Sequence, residues 1–320
     1  MINLKIFKLK FKSPLHVGAD STLREKVDVI IHSDTLYSAL YDLSIRVGSR
    51  IREAILERKI LLSSAFPYYE DENEKIYFLP RPIYNVKIAQ GKSKEDFELS
   101  KKFKKLVFIP SIWLNSLDDL QKNIGNGFSK YSDLLKEIYA VDILPKVFVD
   151  RFTSASTFYR IGQVFFHKGG LYFVVKFLSE ELEGEFRGLL NLLGEEGIGG
   201  RRSTGSGIFE FEEDVLTFEM PESPNFYLLL SLSIPGEGEM DGILKNSFYE
   251  LMLRRGWFLT DEGYSRRRKS VWMLKEGSIL HKDIKGCAVD VTPEALYGLS
   301  DSKIYKFAYA FTLPVRLNHE

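Results

Sequence analysis

The segment GEEGIGGRRSTGSG, residues 194–207, is where residue types and spacing point most directly to chemistry. Glycine lets a backbone approach a ligand closely and adopt φ > 0. Successive N–H groups in such turns form nests for anions. Gly197, Gly199, Gly200, Gly205 and Gly207 would shape the loop, while Arg201 and Arg202 supply charge and bidentate phosphate contacts. Ser203, Thr204 and Ser206 add hydroxyls. A phosphate backbone is the natural partner. No Gly-x4-Gly-Lys-[Ser/Thr] is present, so this is not a Walker A loop. It follows a helical segment and precedes a strand, the reverse of a dinucleotide-binding fingerprint. The plain alternative is a solvated connector.

A second basic island, Arg266, Arg267, Arg268 and Lys269, lies between Tyr264 and Trp272, with Arg254 and Arg255 upstream. Cations beside aromatics suit phosphate contact with base stacking. A charged hairpin edge reads equally well. Residues 101–105 (KKFKK) are a third patch, read as a charged face. Lys8, Lys10 and Lys12 would line either the open face of a sheet, where RRM-type folds meet RNA, or the outside of an edge strand. His16, in a loop with Gly18 after the first strand, can donate to phosphate or act as acid or base, though a lone loop histidine more often positions its neighbours. Arg151 can pair with Asp150 or with a phosphate. No histidine spacing suggests a metal site.

These residues need elements to hold them. Residues 2–12 alternate as a strand with Phe7, Leu9 and Phe11 on one face. The spacing of Leu36, Ala39, Leu40, Leu43 and Val47 predicts a helix over 33–47, capped by Ser33 or Asp34. A hairpin is expected from Gln163–His167 and Leu171–Phe177, then a helix over 181–193 and a strand over 208–212. The order β-α-β-β-α-β is the ferredoxin-like pattern. Residues 50–160 then form a structured insertion, with strands near 75–79, 83–88 and 106–109, helices over 111–122 and 130–140, and a flexible tip at 90–95. An acidic, proline-bearing stretch at 213–225 marks a boundary. Beyond it, strands are expected at 226–234, 256–259, 270–274 and 304–317, and a helix at 242–255. The fold class is α+β, in two units of 1–215 and 216–320.

Of 320 residues 44% are hydrophobic and 28% charged, which is ordinary globular composition. Lys plus Arg and Asp plus Glu are both 44, so a uniformly basic nucleic-acid coat is disfavoured while a local basic site is not. Acidic runs around 180–185 and 210–214 confine any anion site to discrete surfaces and suit a basic protein partner. Cys287 is the single cysteine, which excludes an internal disulfide and a Cys-based zinc site. No apolar run is long enough to span a bilayer. A cytoplasmic protein without cofactor is expected.

Four segments carry a resemblance: FKSPLHVG (11–18) with SDTLYSAL (33–40); VDRFTSAS (149–156) leading into 158–177; GIGGRRSTGSGIFEF (197–211); and IYKFAYAFTLPV (304–315). The chain resembles CRISPR–Cas RAMP proteins, specifically the fourth-subunit family of type III-A Csm effector complexes, in the Cas5-like group. It departs from that family in having Ser302-Lys303 where His-Pro stands before the last run, and the middle insertion carries no match. The resemblance implies two ferredoxin-like units, the first interrupted by the insertion. It implies a non-catalytic subunit that binds the 5′ tag of CRISPR RNA and bridges the large polymerase-like subunit to the backbone RAMP subunit. An inserted hairpin or thumb would enter the guide–target duplex. By matching position, Gly197, Gly199, Gly200, Arg201, Arg202, Ser203, Gly205 and Gly207 would face RNA, with His16, Gly18, Arg151 and Thr153 at other motif positions. Two rival readings stand beside it: a RAMP endoribonuclease that processes precursor CRISPR RNA with His16 as general base, and a protein-bridging module whose basic islands meet acidic partners.

Overall fold

The computed structural model describes residues 1–18, 24–84, 101, 106–115, 120–259, 265–294 and 303–317. Its first strand, β1 (Ile2–Phe11), alternates as the sequence requires, sending Phe7 and Leu9 into one core and Ile6 into another. Helix α1 (Ser33–Val47) buries Leu36, Tyr37, Leu40 and Leu43, and stops at Gly48, whose φ of 68° carries the chain out of the helix. Ser33 and Asp34 do not cap it. The N-cap is His32, without a side-chain cap. Ser33 Oγ instead accepts the N–H of Leu232 at 3.0 Å, and Asp34 is drawn into an ion network described below.

Helix α2 (Ile51–Leu56) leads into β2 (Ile60–Leu62), β3 (Phe66–Glu70) and β4 (Lys75–Pro80). After β5 (Phe108–Pro110), a 3-10 turn at Ser111–Asn115 stands where the first half of a helix was expected, and α3 (Leu120–Ile138) follows. Next come β6 (Tyr139–Val149), β7 (Ser156–Phe166), β8 (Gly170–Phe177), α4 (Leu182–Glu196) and β9 (Phe209–Phe218). A seven-stranded sheet runs β5-β4-β3-β8-β1-β9, with β2 also on β8. β1 lies antiparallel between β8 and β9, in register from Ile2↔Phe218 to Phe11↔Phe209.

The expected hairpin of 163–167 with 171–177 does not form. β8 takes β3 as its neighbour, and residues 163–166 belong to β7, which pairs with β6 from Tyr139↔Phe166 to Val149↔Ser156. The alternating stretch before the Lys168-Gly169-Gly170 turn reads as a sheet strand, but its periodicity carries no information about its partner. Residues 60–70, within the expected insertion, supply sheet strands instead. The 83–84 part of the expected 83–88 strand is not extended sheet; the tip at 90–95 lies outside the described residues, as do Lys102–Lys105, Tyr264 and His319.

α1, α2 and α4 cover one face of the sheet around Phe7, Phe173, Phe186 and Leu190. The other face packs Ile6, Phe66, Tyr172 and Val174 against Phe226, Leu228, Leu313 and Val315 from the last third of the chain. Each such fully buried side chain contributes about 1.5–3 kcal/mol, so this apolar contact joins the two parts firmly. It also closes the face where the lysines of β1 were to meet RNA. Lys8 is 4% exposed and tied to Glu70 at 2.8 Å and Glu212 at 3.0 Å. Lys10 pairs with Glu212 at 2.7 Å and Lys12 with Glu210 at 2.8 Å.

The last third is made of short strands: β10 (Phe226–Leu229), β11 (Leu251–Arg254), β12 (Trp257–Leu259), β13 (Ser265–Arg267), β14 (Val271–Leu274), β15 (Ile279–Leu280), β16 (Gly286–Asp290), β17 (Tyr305–Tyr309) and β18 (Thr312–Val315). β10 sits between β15 and β18, and the pairs β11–β14, β12–β13 and β16–β17 surround it. The helix expected at 242–255 is absent. Gly242 has a φ of 73°, Ser247 Oγ bonds back to the carbonyl of Ile243 at 2.5 Å, and Leu251–Arg254 is claimed by Val271–Leu274. Tertiary pairing overrides the helical spacing. The expected strand over 304–317 is two strands, broken at Ala310-Phe311. No helix among the described residues is long and apolar enough to cross a membrane.

Candidate nucleic-acid interface

The glycine-rich loop is pinned rather than free. Gly197 ends α4 with its N–H on the Leu193 carbonyl at 2.9 Å. The N–H of Ile198 bonds Gly207 O at 2.9 Å, that of Gly200 bonds His16 O at 2.8 Å, and that of Gly207 bonds Pro14 O at 2.9 Å. Glycine is demanded at two points. Gly199 has φ 88°, and a Cβ there would lie 2.6 Å from His16 O; Gly207 has φ 77°, and a Cβ would lie 2.0 Å from Ile198 O. Arg201 itself holds a left-handed φ of 63°, a conformation costing a non-glycine residue about 1–3 kcal/mol. The amides of Gly199, Arg201, Arg202 and Ser203 bond no acceptor among the described residues.

His16 fastens this loop to the foot of the β6–β7 hairpin. Its Nδ1–H donates to Gly162 O at 2.7 Å, and its ring lies so close to Gly200 that a Cβ there would meet Cδ2 at 2.8 Å. Tyr159 of β7 lies under both Arg201 and Arg24, with guanidinium carbons 5.9 and 5.5 Å from the ring centroid.

The loop forms one wall of a cleft of about 1370 Å³. Gly18, Gly199, Gly200, Arg201, Arg202 and Ser203 line that wall; Tyr41, Asp42 and Arg46 of α1 line another. Across from them stand Arg254, Arg255, Phe258 and Arg268, then Lys303, Tyr305 and Lys306. The cleft thus joins the two basic islands of the sequence.

Its floor is an ion network. Asp34 is fully buried; its Oδ2 accepts from Arg254 Nε and its Oδ1 from Arg254 Nη2, each at 3.0 Å, and Lys306 also pairs with it. Burial opposes the Asp34 charge, but Lys306 and Arg254 outweigh it and hold the carboxyl far below its ordinary range. Burial pulls the Lys306 ammonium below its usual value, with Arg254 and Arg268 adding repulsion. Arg268, also lowered by burial, donates Nε and Nη2 to the Trp257 carbonyl at 3.1 and 3.0 Å. Arg254 and Lys306, both largely buried, therefore share the Asp34 carboxylate, with Arg268 close enough to repel Lys306. Arg201, Arg255 and Lys303 add charge, and among the described residues none has a carboxylate within ion-pair reach.

Of the residues read from the sequence, Gly18, the loop from Gly199 to Ser203 and Arg268 meet in this cleft, while Gly197, Gly205, Gly207 and His16 shape it. Arg151 and Thr153 lie elsewhere, at the hairpin tip. There Asp150 Oδ1 accepts the N–H groups of Phe152 and Thr153 at 2.9 and 2.8 Å, making a turn and not a pair with Arg151. Arg266 and Arg267 lie on β13, with Arg267 4.9 Å over the Trp257 ring, and Lys269 faces Glu294 at 3.4 Å. Sequence reasoning passed over Tyr41, Arg46, Asp34, Tyr305 and Lys306. Lys306 did carry a signal, a cation set between the alternating aromatics Tyr305, Phe307 and Tyr309. Among the described residues no group of His, Cys, Asp or Glu is arranged to hold a metal ion.

Comparison with known proteins agrees with the resemblance. Residues 222–315 match the model of the CRISPR Csm4 C-terminal domain. A curated relative from Thermococcus onnurineus, named CRISPR system Cms protein Csm4, is 26% identical over 299 residues, covering 90% of this chain and 92% of its own length. A chain of the Csm1–Csm4 cassette crystallised with cA4 superposes with a TM-score of 0.64 at 19% identity, covering all of both chains. A chain of the Csm3–Csm4 subcomplex of the type III-A interference complex gives 0.61 at 19% identity, covering 99% of this chain and 100% of its own.

Proposed function

The chain is Csm4-like in sequence and fold, and from that premise we propose that it is a non-catalytic subunit of a type III-A CRISPR effector complex that holds the 5′ tag of CRISPR RNA in the cleft. One observation carries this reading. Arg254 and Lys306 converge on Asp34 with Arg268 beside them, while Arg201, Arg255 and Lys303 on the same cleft have no carboxylate within ion-pair reach among the described residues, so the cleft presents a surplus of positive charge that calls for an anion. The phosphates of a single strand supply that anion. The pinned loop offers amides and guanidinium groups to the backbone, and Tyr41 and Tyr305 offer faces to bases.

The first unit is ferredoxin-like in this reading, since β3-β8-β1-β9 with α1 and α4 reproduces that strand order, and the chain divides near residue 215. Ferredoxin-like character in the second unit is inferred from the resemblance. The partners in this reading are the large polymerase-like subunit and the backbone RAMP subunit; the matched chains come from a Csm1–Csm4 cassette and a Csm3–Csm4 subcomplex. The β6–β7 hairpin, with Phe152 98% exposed at its tip, is the thumb that reaches the guide–target duplex. A cytoplasmic location follows from work on intracellular RNA.

The test is the affinity of the assembled complex for tag-bearing RNA after Arg201→Ala with Arg202→Ala. Weaker binding without loss of thermal stability supports the proposal. Unchanged affinity at physiological salt, or no RNA position protected by this subunit, favours the protein-bridging reading. The endoribonuclease reading draws on one observation: the hydrogen bond between Nδ1 and Gly162 O fixes the His16 ring beside the glycine-rich loop. Incubation with repeat RNA decides it, because cleavage abolished by His16→Ala would establish catalysis.

A further inference from the structure

We propose that Arg46 and Arg202 form a phosphate subsite at the rim of the cleft, and that Glu196 holds it closed as an internal competitor for the phosphate. The inference rests on the RNA-binding reading of the cleft and adds how one part of it is regulated.

Glu196 is the last residue of α4, just before the glycine-rich loop. Its two carboxylate oxygens accept a parallel pair of hydrogen bonds from Arg46, Nη1 to Oε1 at 2.8 Å and Nη2 to Oε2 at 2.7 Å. Arg202 Nη1 approaches the same Oε2 at 3.7 Å. Asp42 lies on the far side of Arg46, 3.3 Å from Nε. All four residues line the cleft. The side chains of Arg46, Glu196 and Arg202 are 46%, 38% and 42% exposed, so a ligand reaches them without unfolding anything.

A guanidinium fork accepts a carboxylate and a phosphate in the same two-bond geometry. Glu196 therefore occupies the place that a nucleotide phosphate would take between Arg46 and Arg202. The amides of Arg201, Arg202 and Ser203, which bond no acceptor among the described residues, belong to the same wall of the cleft. The remaining cations of the cleft differ: Arg254 and Lys306 are locked on a buried carboxylate, whereas among the described residues Arg201, Arg255 and Lys303 have none within ion-pair reach. Among the described cations of the cleft, this pair is the one held by a partly exposed glutamate.

The consequence is selectivity for a polymer. A lone phosphate must displace Glu196 with its own contacts alone. A strand already held by the buried cations brings its phosphate to Arg46 at high effective concentration and displaces Glu196 readily. Glu196 also reduces the net positive charge that the rim offers to a strand, because it already neutralises Arg46.

The full chain is titrated with fluorescein-labelled single-stranded RNA carrying the repeat-derived tag, at about 50 and 200 mM salt, the range over which counter-ion release is read. Glu196→Gln is expected to tighten binding about three- to tenfold, the scale of an exposed ion pair plus one removed like charge. Its salt dependence should steepen by about 0.7 in the logarithmic slope for each further phosphate that Arg46 and Arg202 neutralise once Glu196 no longer competes. Glu196→Asp, which keeps the charge, should stay at the wild-type affinity. Adding Arg46→Ala to Glu196→Gln should abolish most of the gain. A thermal melt accompanies each variant, because a merely structural role for Glu196 predicts weaker binding together with lower stability. Glu196→Gln binding no tighter than wild type, while Arg201→Ala with Arg255→Ala still weakens it, overturns the competitor and leaves the cleft reading intact. Wild-type chain and assembled complex that both fail to bind the RNA overturn both.

Discussion

Asp34, the second residue of α1, and Arg254, the last of β11, meet through two hydrogen bonds of 3.0 Å across 220 positions of sequence. The joint fastens the first helix to the last third of the chain, and Lys306 closes on the same carboxylate. It thereby sets the distance between the walls of the cleft. Breaking a buried pair by removing one partner leaves the other charge uncompensated, which costs about 3–5 kcal/mol. Asp34→Asn, which keeps size and removes charge, should therefore lower unfolding free energy by about 3 kcal/mol or more in denaturant titrations. A change under about 0.5 kcal/mol, the range of an ordinary surface substitution, would mean that the joint contributes little.

A second joint predicts pH dependence. His32, 2% exposed, places Nδ1 2.8 Å from Glu276 and Nε2 3.4 Å from Asp28, and Ser64 also donates to Glu276. Burial works against the imidazolium, but Glu276 and Asp28 outweigh it and push the pKa up to about 9. The folded state thus binds the proton more tightly than the unfolded state, where it titrates near about 6.5. This contribution is complete below about 6.5 and is lost as pH rises through about 9. Melting temperature should fall over that window, and His32→Gln should flatten the fall. A wild-type profile that rises from neutral to alkaline pH would contradict the assignment.

The loop glycines separate two costs. Gly205, with φ 78°, has open space where a Cβ would go, so Gly205→Ala should cost only the left-handed backbone penalty of about 1–2 kcal/mol. Gly207→Ala adds a collision with the Ile198 carbonyl and must shift the backbone. It should lose more stability than Gly205→Ala by calorimetry, and more RNA affinity as well. Equal effects would show that the pinning of the loop does not set its shape.

These sites were unequally legible in the sequence. The amphipathic spacing of 33–47 and the alternation of 2–11 fixed α1 and β1, because each element's own periodicity reports the face it buries. The glycines and arginines of 197–207 were readable for the same reason, since local chemistry demands them. Partnership was not readable. The pairing of β8 with β3, the strand at 251–254 and the joining of Asp34 to Arg254 depend on contacts between distant segments, which one residue pattern does not encode. Nothing local in the sequence singles out Arg46 on α1, and the approach of Glu196 from α4 gives it a place in the site. The lysines of β1 misled because alternation does not say whether the polar face meets water or a row of carboxylates.

The hairpin tip makes a fourth prediction. Phe152 is 98% exposed and packs on nothing, so Phe152→Ser should leave stability within about 0.5 kcal/mol of wild type. In the assembled complex the same substitution should alter protection of guide–target duplex in footprinting. An unchanged footprint would remove the thumb from the account.

The most direct test of the central claim is photo-crosslinking of the assembled complex, with crosslinkable nucleotides in the 5′ tag of the RNA. The account predicts adducts on cleft residues, Tyr41, Arg201, Tyr305 and their immediate neighbours, lost when Arg201 and Arg202 are both alanine. Tag adducts confined to other subunits, with the cleft untouched, would contradict it.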